Sequence, residues 1–264
     1  MGTVDPLIVD LYVGDENGAP QIANVINAGR PWVGLCFKAS EGLYYPNNQA
    51  ADPAYRNWWL AAQWNNTKWL ARKRLGVDFF VQQYHYGRID QDATKQAAWN
   101  CEVIRGVGGY YKGCLAPMVD IENAENPVSP GAAAIEKWLT AYNAEIYRQL
   151  GIRATLYGNN YLAENGVDYT KCGCLSLEVA HYNSTLPSTV YSRIKCPITS
   201  LSGWQYIGTE PPVTPVPAGY PVFSPLSPVK PEDITAVVMN DGQGFGGPLT
   251  WLQQNMVPAN KWTP

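Results

Sequence analysis

The hydrophobic residues of this chain fall into eight short runs that are rich in β-branched, leucine and aromatic side chains. Runs of this kind, bounded by glycine, proline and polar residues, predict β-strands. Several of them are continuously apolar over most of their length rather than alternating, which is typical of strands buried on both faces in a parallel sheet. The predicted strands span residues 7–13, 32–39, 78–86, 115–122, 153–158, 175–182, 203–208 and 234–240.

Helical patterns separate the first five predicted strands, and the later connections are shorter. Helices are predicted for residues 20–29, 52–75, 92–106, 130–151 and 247–256. Alternation of strands and helices indicates a parallel α/β fold, and eight strands indicate a closed barrel. We therefore predict an irregular eight-stranded α/β barrel, similar to a TIM barrel but with fewer helices in its second half.

A proline-rich segment at about residues 209–232 interrupts this pattern before the last predicted strand. Its proline content excludes regular secondary structure. It is either a linker between two domains or a long loop inserted into the barrel. Because one strand and one helix are all that follow it, too little chain remains for a second domain. We predict a single domain, residues 1–264, with an insertion at about 209–232.

Composition narrows the classes of protein to consider. The chain of 264 residues has a net charge of −3, so the basic surface of a nucleic-acid-binding protein is missing. No apolar run reaches the length of a membrane span, and the N-terminal residues do not resemble a secretory signal. The 10 Trp and 17 Tyr, against 5 Phe, suit stacking on sugars and equally suit a core of large side chains.

The six cysteines and two histidines do not suggest a metal site, because no Cys-x-x-Cys pair is present. We therefore predict no cofactor and no bound metal. Cys36 lies in an apolar run and is expected to be a buried thiol. If the protein works in an oxidising compartment, two disulfide bonds remain open: Cys101 with Cys114, and Cys196 with Cys172 or Cys174.

Polar side chains collect where the predicted strands end, and barrels of this type carry their reactive groups at the C-terminal ends of the strands. Asp120 and Glu122 end the fourth strand two residues apart, so both point to the same side, with Cβ atoms roughly 6–7 Å apart. The other polar residues in equivalent places are Asp10, Lys38, Ser40, Glu41, His85, Arg88, Tyr157, Asn159, His181, Tyr182, Asn183, Gln205 and Tyr206.

Two carboxyls as close as Asp120 and Glu122 do not both ionise freely in a partly dry site, so the pKa of one should rise. A proton held near neutral pH is what a general acid needs to cleave a glycosidic bond. Solvated acids at the start of the next helix are an alternative interpretation. A metal site is a weaker one, because a hard cation needs more converging oxygens than these two residues supply.

Six segments follow one another in an informative order: IVDLY (8–12), FKASEG (37–42), YHYGR (84–88), PMVDIE (117–122), VAHYN (179–183) and GWQY (203–206). Together they resemble glycoside hydrolase family 25, the Chalaropsis-type lysozymes, which include many bacteriophage endolysins. The resemblance covers residues from about 7 to 206, and its most specific parts are FKASEG and the W-Q-Y of the last segment.

This resemblance implies an N-acetylmuramidase that cuts the β-1,4 bond between N-acetylmuramic acid and N-acetylglucosamine in peptidoglycan. By analogy Glu122 is the general acid/base, and Asp120 and Asp10 orient and charge-stabilise the reacting centre. The substrate's own acetamide carbonyl is the usual nucleophile of the family. The residues implied in substrate binding, each of which also suits a packing role, are Glu41, Tyr157, Tyr182, Gln205, Tyr206 and His85. For His85 and His181 a structural, hydrogen-bonded role is favoured over catalysis.

Three features depart from the family pattern. Tyr12 stands where the opening motif usually has serine, and the 209–232 insertion replaces a short connection. Val238 stands at the position of an acid that the family's last strand normally carries. Asp233 or Asp241 are candidates to replace that acid in space, although neither is in register.

The leading hypothesis is a phage-encoded peptidoglycan hydrolase that works as a monomer or within a virion assembly, without nucleic acid and without membrane insertion. We expect synthesis in the host cytoplasm and action on the bacterial cell wall, after release through a holin or delivery on the virion. The first alternative is a non-catalytic glycan-binding or virion structural module on a hydrolase scaffold. The second is a barrel hydrolase that acts on another amino sugar.

Overall fold

The computed structural model describes residues 6–11, 22–43, 60–69, 79–124, 126–182, 192–207, 216, 219–221, 225, 233–237 and 248–263. Eight strands form a closed barrel, each paired with the next along the chain. They are β1 (Leu7–Leu11), β2 (Trp32–Glu41), β3 (Phe80–Tyr86), β4 (Met118–Ile121), β5 (Thr155–Gly158), β6 (Leu177–Ala180), β7 (Leu201–Ile207) and β8 (Asp233–Val237). Every predicted strand overlaps one of these, and the predicted irregular α/β barrel is confirmed.

The last strand runs opposite to the other seven. β8 is antiparallel to both β7 and β1, whereas the neighbouring pairs from β1 to β7 are parallel. A parallel strand needs a crossover that returns the chain to the other end of the barrel, and an antiparallel strand does not. The start of β8 therefore lies beside the C-terminal ends of the parallel strands. Asp233 pairs with Asp10 there in backbone register.

Helices pack around the barrel. Those in the described residues include α1 (Ile22–Ala28), α2 (residues 60–69), α3 (Ala93–Gly106), α4 (Ala132–Leu150), α5 (Asn160–Glu164) and α6 (Pro248–Gln254). The short α5 is absent from the sequence prediction, and the rest of the predicted 52–75 helix lies outside the described residues. Among the described residues, no helix has the length and apolar character needed to cross a membrane.

The α4 helix shows how the sequence attaches a helix to the barrel. Ile135, Leu139, Tyr142 and Ile146 are buried and recur every three or four residues, so they share one face. Burial of each such side chain contributes about 1.5–3 kcal/mol. The helix ends at Gly151, whose φ of 72° gives the left-handed C-cap that glycine adopts without steric cost.

Side chains alternate between the inner and outer faces of the barrel strands, so the apolar residues form two separate cores. The larger core fills the space between the barrel and its helices, and the smaller one fills one end of the barrel interior. The interior core includes Ile8, Val33, Phe80, Met118, Val237 and Leu252. The C-terminal residues seal this end, because Ala116 N donates to Asn255 O (2.9 Å) and Val257 N donates to Cys114 O (2.8 Å). Polar side chains from the strands occupy the opposite end.

All six cysteines are free thiols, so neither of the disulfide pairings left open by the sequence is present in the structure. Part of the proline-rich insertion contacts the barrel wall. The Tyr220 ring packs edge-on against Tyr206, with ring centroids 5.2 Å apart, and the Tyr206 hydroxyl donates to Pro221 O (2.9 Å).

Candidate active site

Four carboxyl groups occupy the polar end of the barrel. Asp10 comes from β1, Asp120 from β4 and Glu178 from β6, and all three are buried, while Glu122 follows β4 and is partly exposed. Burial raises the pKa of Asp120 well above its usual value, and the negative charges of Glu122, Asp10 and Glu178 raise it further. The structure therefore brings together the three acids singled out in the sequence and adds a fourth.

Asp120 and Glu122 form an electrostatically coupled pair at the barrel mouth. Burial also raises the pKa of Glu122, while a hydrogen bond from Asn159 and the charge of Lys38 oppose that rise. Asn159 Nδ2 donates to Glu122 Oε1 (2.7 Å), and Asn126 Nδ2 donates to the Glu122 carbonyl oxygen (2.9 Å). Asp120 Oδ1 is buried and has no hydrogen-bond partner among the described residues. Two coupled acids in this setting share protons as a unit.

Lys38 supplies a positive charge at this mouth. Its Nζ lies 2.7 Å from Glu41 Oε2 and 4.9 Å from the centroid of the Tyr86 ring. The charge of Lys38 lowers the pKa of both Asp120 and Glu122. Glu41, one of the predicted binding residues, is therefore held at the rim by an ion pair with a neighbour on its own strand.

Three of the predicted binding residues cluster near β5, β6 and β7. The Tyr157 hydroxyl donates to Gln205 Oε1, and both side chains are buried in the barrel interior. Tyr182 lies two residues beyond β6, and 48% of its surface is exposed. An exposed aromatic ring just past the C-terminal end of a barrel strand is suited to stacking on a sugar.

His85 and Tyr206 lie on the outer side of the barrel wall, away from the carboxyls. His85 is fully buried, stacks on Tyr142 of α4, and its Nε2 lies 2.9 Å from Gln96 Oε1 of α3. Tyr206 packs in the outer core beside Trp204 and Tyr220. Each faces outward because its strand neighbours, Tyr86 and Gln205, face inward. The structure thus does not bring these two predicted binding residues to the site.

His85 should remain neutral in acidic solution. Burial lowers its pKa from 6.5 to about 4. Between these values the unfolded chain is protonated and the folded one is not, so His85 costs stability as pH falls, about 3 kcal/mol in total. An NMR titration of the imidazole should give a midpoint of about 4. A midpoint near 6.5 would contradict the structural role given to this residue.

Asn159 should tune the acidity of Glu122. Asn159→Asp keeps an acceptor for the Tyr161 N–H at the start of α5 but removes the donor to Glu122 and adds a like charge. The pKa of Glu122 should then rise, so the alkaline limb of activity moves to higher pH. Asn159→Ala should lower kcat about tenfold through lost positioning. Asn165→Ala, at the other end of α5, is the control, because the Asn165 side chain bonds Gly131 N and Tyr161 O and no carboxyl. Equal profiles for all variants would remove Asn159 from the site.

Glu178 escaped the sequence analysis, although a signal was present. It is the charged residue of an otherwise apolar strand segment, Leu177–Ala180. Its pKa is raised to about 7, chiefly by burial, while a hydrogen bond from Thr235 lowers it.

The structure describes one of the two residues that the sequence offered as a replacement for the missing acid near β8. Asp233 lies beside Asp10 in backbone register, whereas Asp241 and Val238 lie outside the described residues.

The donor set does not favour a metal. Within the described residues, no group of three or more His, Cys, Asp or Glu side chains is arranged to hold a metal ion. A cluster of carboxyls in which the pKa values of Asp120, Glu122 and Glu178 are raised, with Glu122 open to the mouth, is instead suited to proton transfer.

The fold and this carboxyl cluster define a barrel hydrolase of the glycoside-cleaving class. The sequence model described as "Glycosyl hydrolases family 25" matches residues 23–212, and the chain belongs to this family. It is a glycoside hydrolase on that basis. A comparison with curated proteins gives no match.

Solved structures share the fold at low sequence identity. A family GH25 lysozyme from Aspergillus fumigatus is 15% identical, with a TM-score of 0.62 over 97% of this chain and 100% of that one. A bacterial lysozyme from Streptomyces coelicolor is 16% identical, with a TM-score of 0.62 over 96% and 100%. The catalytic domain of endolysin ply40 from a Listeria monocytogenes bacteriophage is 14% identical, with a TM-score of 0.58 over 96% and 99%.

Proposed function

We propose that this protein is an N-acetylmuramidase that cleaves the β-1,4 bond between N-acetylmuramic acid and N-acetylglucosamine in peptidoglycan. The observation that carries the proposal is Glu122: a partly exposed carboxyl of raised pKa, hydrogen-bonded by Asn159 and coupled to the buried Asp120. Membership of the family and likeness to lysozymes and an endolysin support this substrate. So does likeness to the autolysin LytC, one structure of which holds a synthetic peptidoglycan ligand.

Glu122 has the position and the acidity for the general acid. Partial burial disfavours its charged form, so Glu122 keeps its proton to higher pH than a solvated glutamate does. Glu122 gives this proton to the glycosidic oxygen as the bond breaks, and later takes a proton from the attacking water. Its partial exposure lets a glycan strand reach the carboxyl from the mouth.

Asp120 is suited to hold the substrate's acetamide group. Its buried Oδ1, which has no partner in the described part of the chain, accepts the acetamide N–H. That hydrogen bond orients the acetamide carbonyl oxygen towards the anomeric carbon, where it acts as the nucleophile. Asp10, on β1, adds negative charge that stabilises the positive charge developing on the sugar ring. No protein nucleophile is then needed.

The groove would be lined by residues from several strand ends. Tyr182 offers an exposed ring for stacking on a sugar. Glu41, held by Lys38, offers a carboxylate to sugar hydroxyls, and the Tyr157–Gln205 pair forms the wall beside β6. His85 and Tyr206, in the outer layer, take no part in this proposal.

The protein would act on the bacterial cell wall, as a monomer or as part of a virion, after release through a holin or delivery by the particle. A non-catalytic glycan-binding or virion module remains the second candidate. The observation in its favour is Val238, which stands where the family has an acid.

Digestion of purified peptidoglycan separates these candidates. The muramidase should release soluble muropeptides and new reducing ends in proportion to enzyme and time. A binding module should instead sediment with the insoluble wall and release nothing above the background of heat-denatured protein. Sedimentation without release at every pH from 4 to 9 would exclude the catalytic proposal.

A further inference from the structure

Glu178 is a carboxyl in the barrel interior that the proposed reaction leaves without a role. It lies on β6 between Tyr157 of β5 and Gly203 of β7, with which it is in register. Only 6% of its surface is exposed. Burying a carboxyl in this way costs free energy unless it is neutral or well partnered.

The neighbouring strands are adapted to this side chain. Thr235 Oγ1 of β8 donates to Glu178 Oε1 (2.7 Å). A Cβ atom added to Gly203 would lie 2.8 Å from both Cγ and Oε2 of Glu178, so a larger residue at position 203 would collide with the Glu178 side chain as it is placed. A glycine on one side and a hydroxyl donor on the other hold the carboxyl in one place.

The charged and titratable groups near Glu178 come from several strands. Asp120 of β4 and Cys36 of β2 each have their pKa raised by the Glu178 charge, and Asp10 of β1 acts on the same two groups. Tyr157 faces Glu178 from β5, while β7 supplies Gly203 and Gln205, and β8 supplies Thr235. The nearby cation at the mouth, Lys38, is paired with Glu41.

We propose that Glu178 is a positioning residue of the reaction, whose protonation state decides whether the proton shared by Asp120 and Glu122 stays on Glu122. The inference rests on the muramidase function proposed above. When Glu178 is neutral, less negative charge surrounds Asp120, so Glu122 competes better for the shared proton and can donate it. When Glu178 loses its proton to solvent, its charge favours protonation of Asp120, and the proton leaves Glu122 for Asp120.

This transfer should occur near neutral pH, because burial raises the pKa of Glu178 to about 7. Glu178 therefore limits activity on the alkaline side. Thr235 opposes the pKa rise, because its hydrogen bond favours the charged carboxylate. Both residues can be altered without touching the groups that contact the substrate.

The pH profile of kcat on solubilised peptidoglycan tests the inference. Glu178→Gln keeps an acceptor for Thr235 but never ionises, so its kcat should match wild type at pH 5 and exceed it about tenfold at pH 8, with KM unchanged. Thr235→Val should move the alkaline limb in the same direction. Thr155→Val is the matched control, because Thr155 is an equally buried threonine bonded to Ser176.

An unchanged alkaline limb in both Glu178→Gln and Thr235→Val would overturn the inference. So would a uniform loss of kcat at all pH values, which is the mark of a merely structural residue. If the wild-type protein releases nothing from peptidoglycan, the proposed function fails, and carboxyl NMR still tests the coupling. The Asp120 titration midpoint should be lower in Glu178→Gln than in wild type, and an equal midpoint would show that Glu178 does not act on Asp120.

Discussion

Glu122→Gln should lower kcat on peptidoglycan by about 10²–10⁴-fold, because the amide has no proton to give to the glycosidic oxygen. The side chain keeps its shape and remains able to accept the hydrogen bond from Asn159 Nδ2. The melting temperature should therefore stay close to that of wild type. Release of reducing ends at the pH optimum measures the effect.

Glu164→Gln is the matched control for this substitution. Glu164 is an exposed acid on α5, the helix that begins next to Asn159. Its replacement by glutamine is the same chemical change at a position away from the mouth. Its kcat should equal that of wild type. A Glu122→Gln enzyme with more than a tenth of wild-type kcat would show that another group donates the proton.

Glu178→Gln should make the protein more stable than wild type in neutral and alkaline solution. Glu178 has a pKa of about 7 in the folded protein and 4.5 as its ordinary value. Below pH 4.5 Glu178 is neutral in the folded and the unfolded chain, so its burial does not depend on pH there. As pH rises from 4.5 through about 7, the unfolded chain ionises more readily than the folded one, and the free energy of unfolding falls. The loss is up to about 3 kcal/mol, and glutamine does not suffer it.

Urea unfolding of wild type and variant at pH 4 and at pH 8 measures this difference. His85 changes stability in the opposite direction over part of the same range, but it is present in both proteins and cancels in the comparison. The free energy of unfolding of Glu178→Gln minus that of wild type should increase by up to about 3 kcal/mol from pH 4 to pH 8. A constant difference would show that Glu178 ionises normally in the folded protein.

The barrel was predictable because several of its strands are continuous apolar runs and its first helices have clear periodicity. The direction of β8 was not, since a run such as 234–240 has the same apolar pattern whichever way it points. The proline-rich segment before it gave no sign of whether the chain crosses back. Strand direction matters here, because it brings Asp233 alongside Asp10 in the β1–β8 ladder.

The pairing of Asp120 with Glu122 was predictable because they are two residues apart where one strand ends. Glu178 was not recognised, because its partner Thr235 is 57 residues away and they meet only across the closed barrel. His85 and Tyr206 were placed in the groove because they end strands near polar neighbours. The two-residue period of a strand places them on the opposite face of the barrel wall from their neighbours Tyr86 and Gln205.

We expect this glycoside hydrolase to cut on the muramic acid side of the glycan repeat. The most direct test is to digest purified peptidoglycan with the wild-type protein, reduce the products with borohydride and identify the terminal sugar alcohol by mass spectrometry. A muramidase leaves N-acetylmuramic acid at the new reducing end, so muropeptides ending in N-acetylmuramitol are the predicted result. Products ending in N-acetylglucosaminitol would contradict the claim.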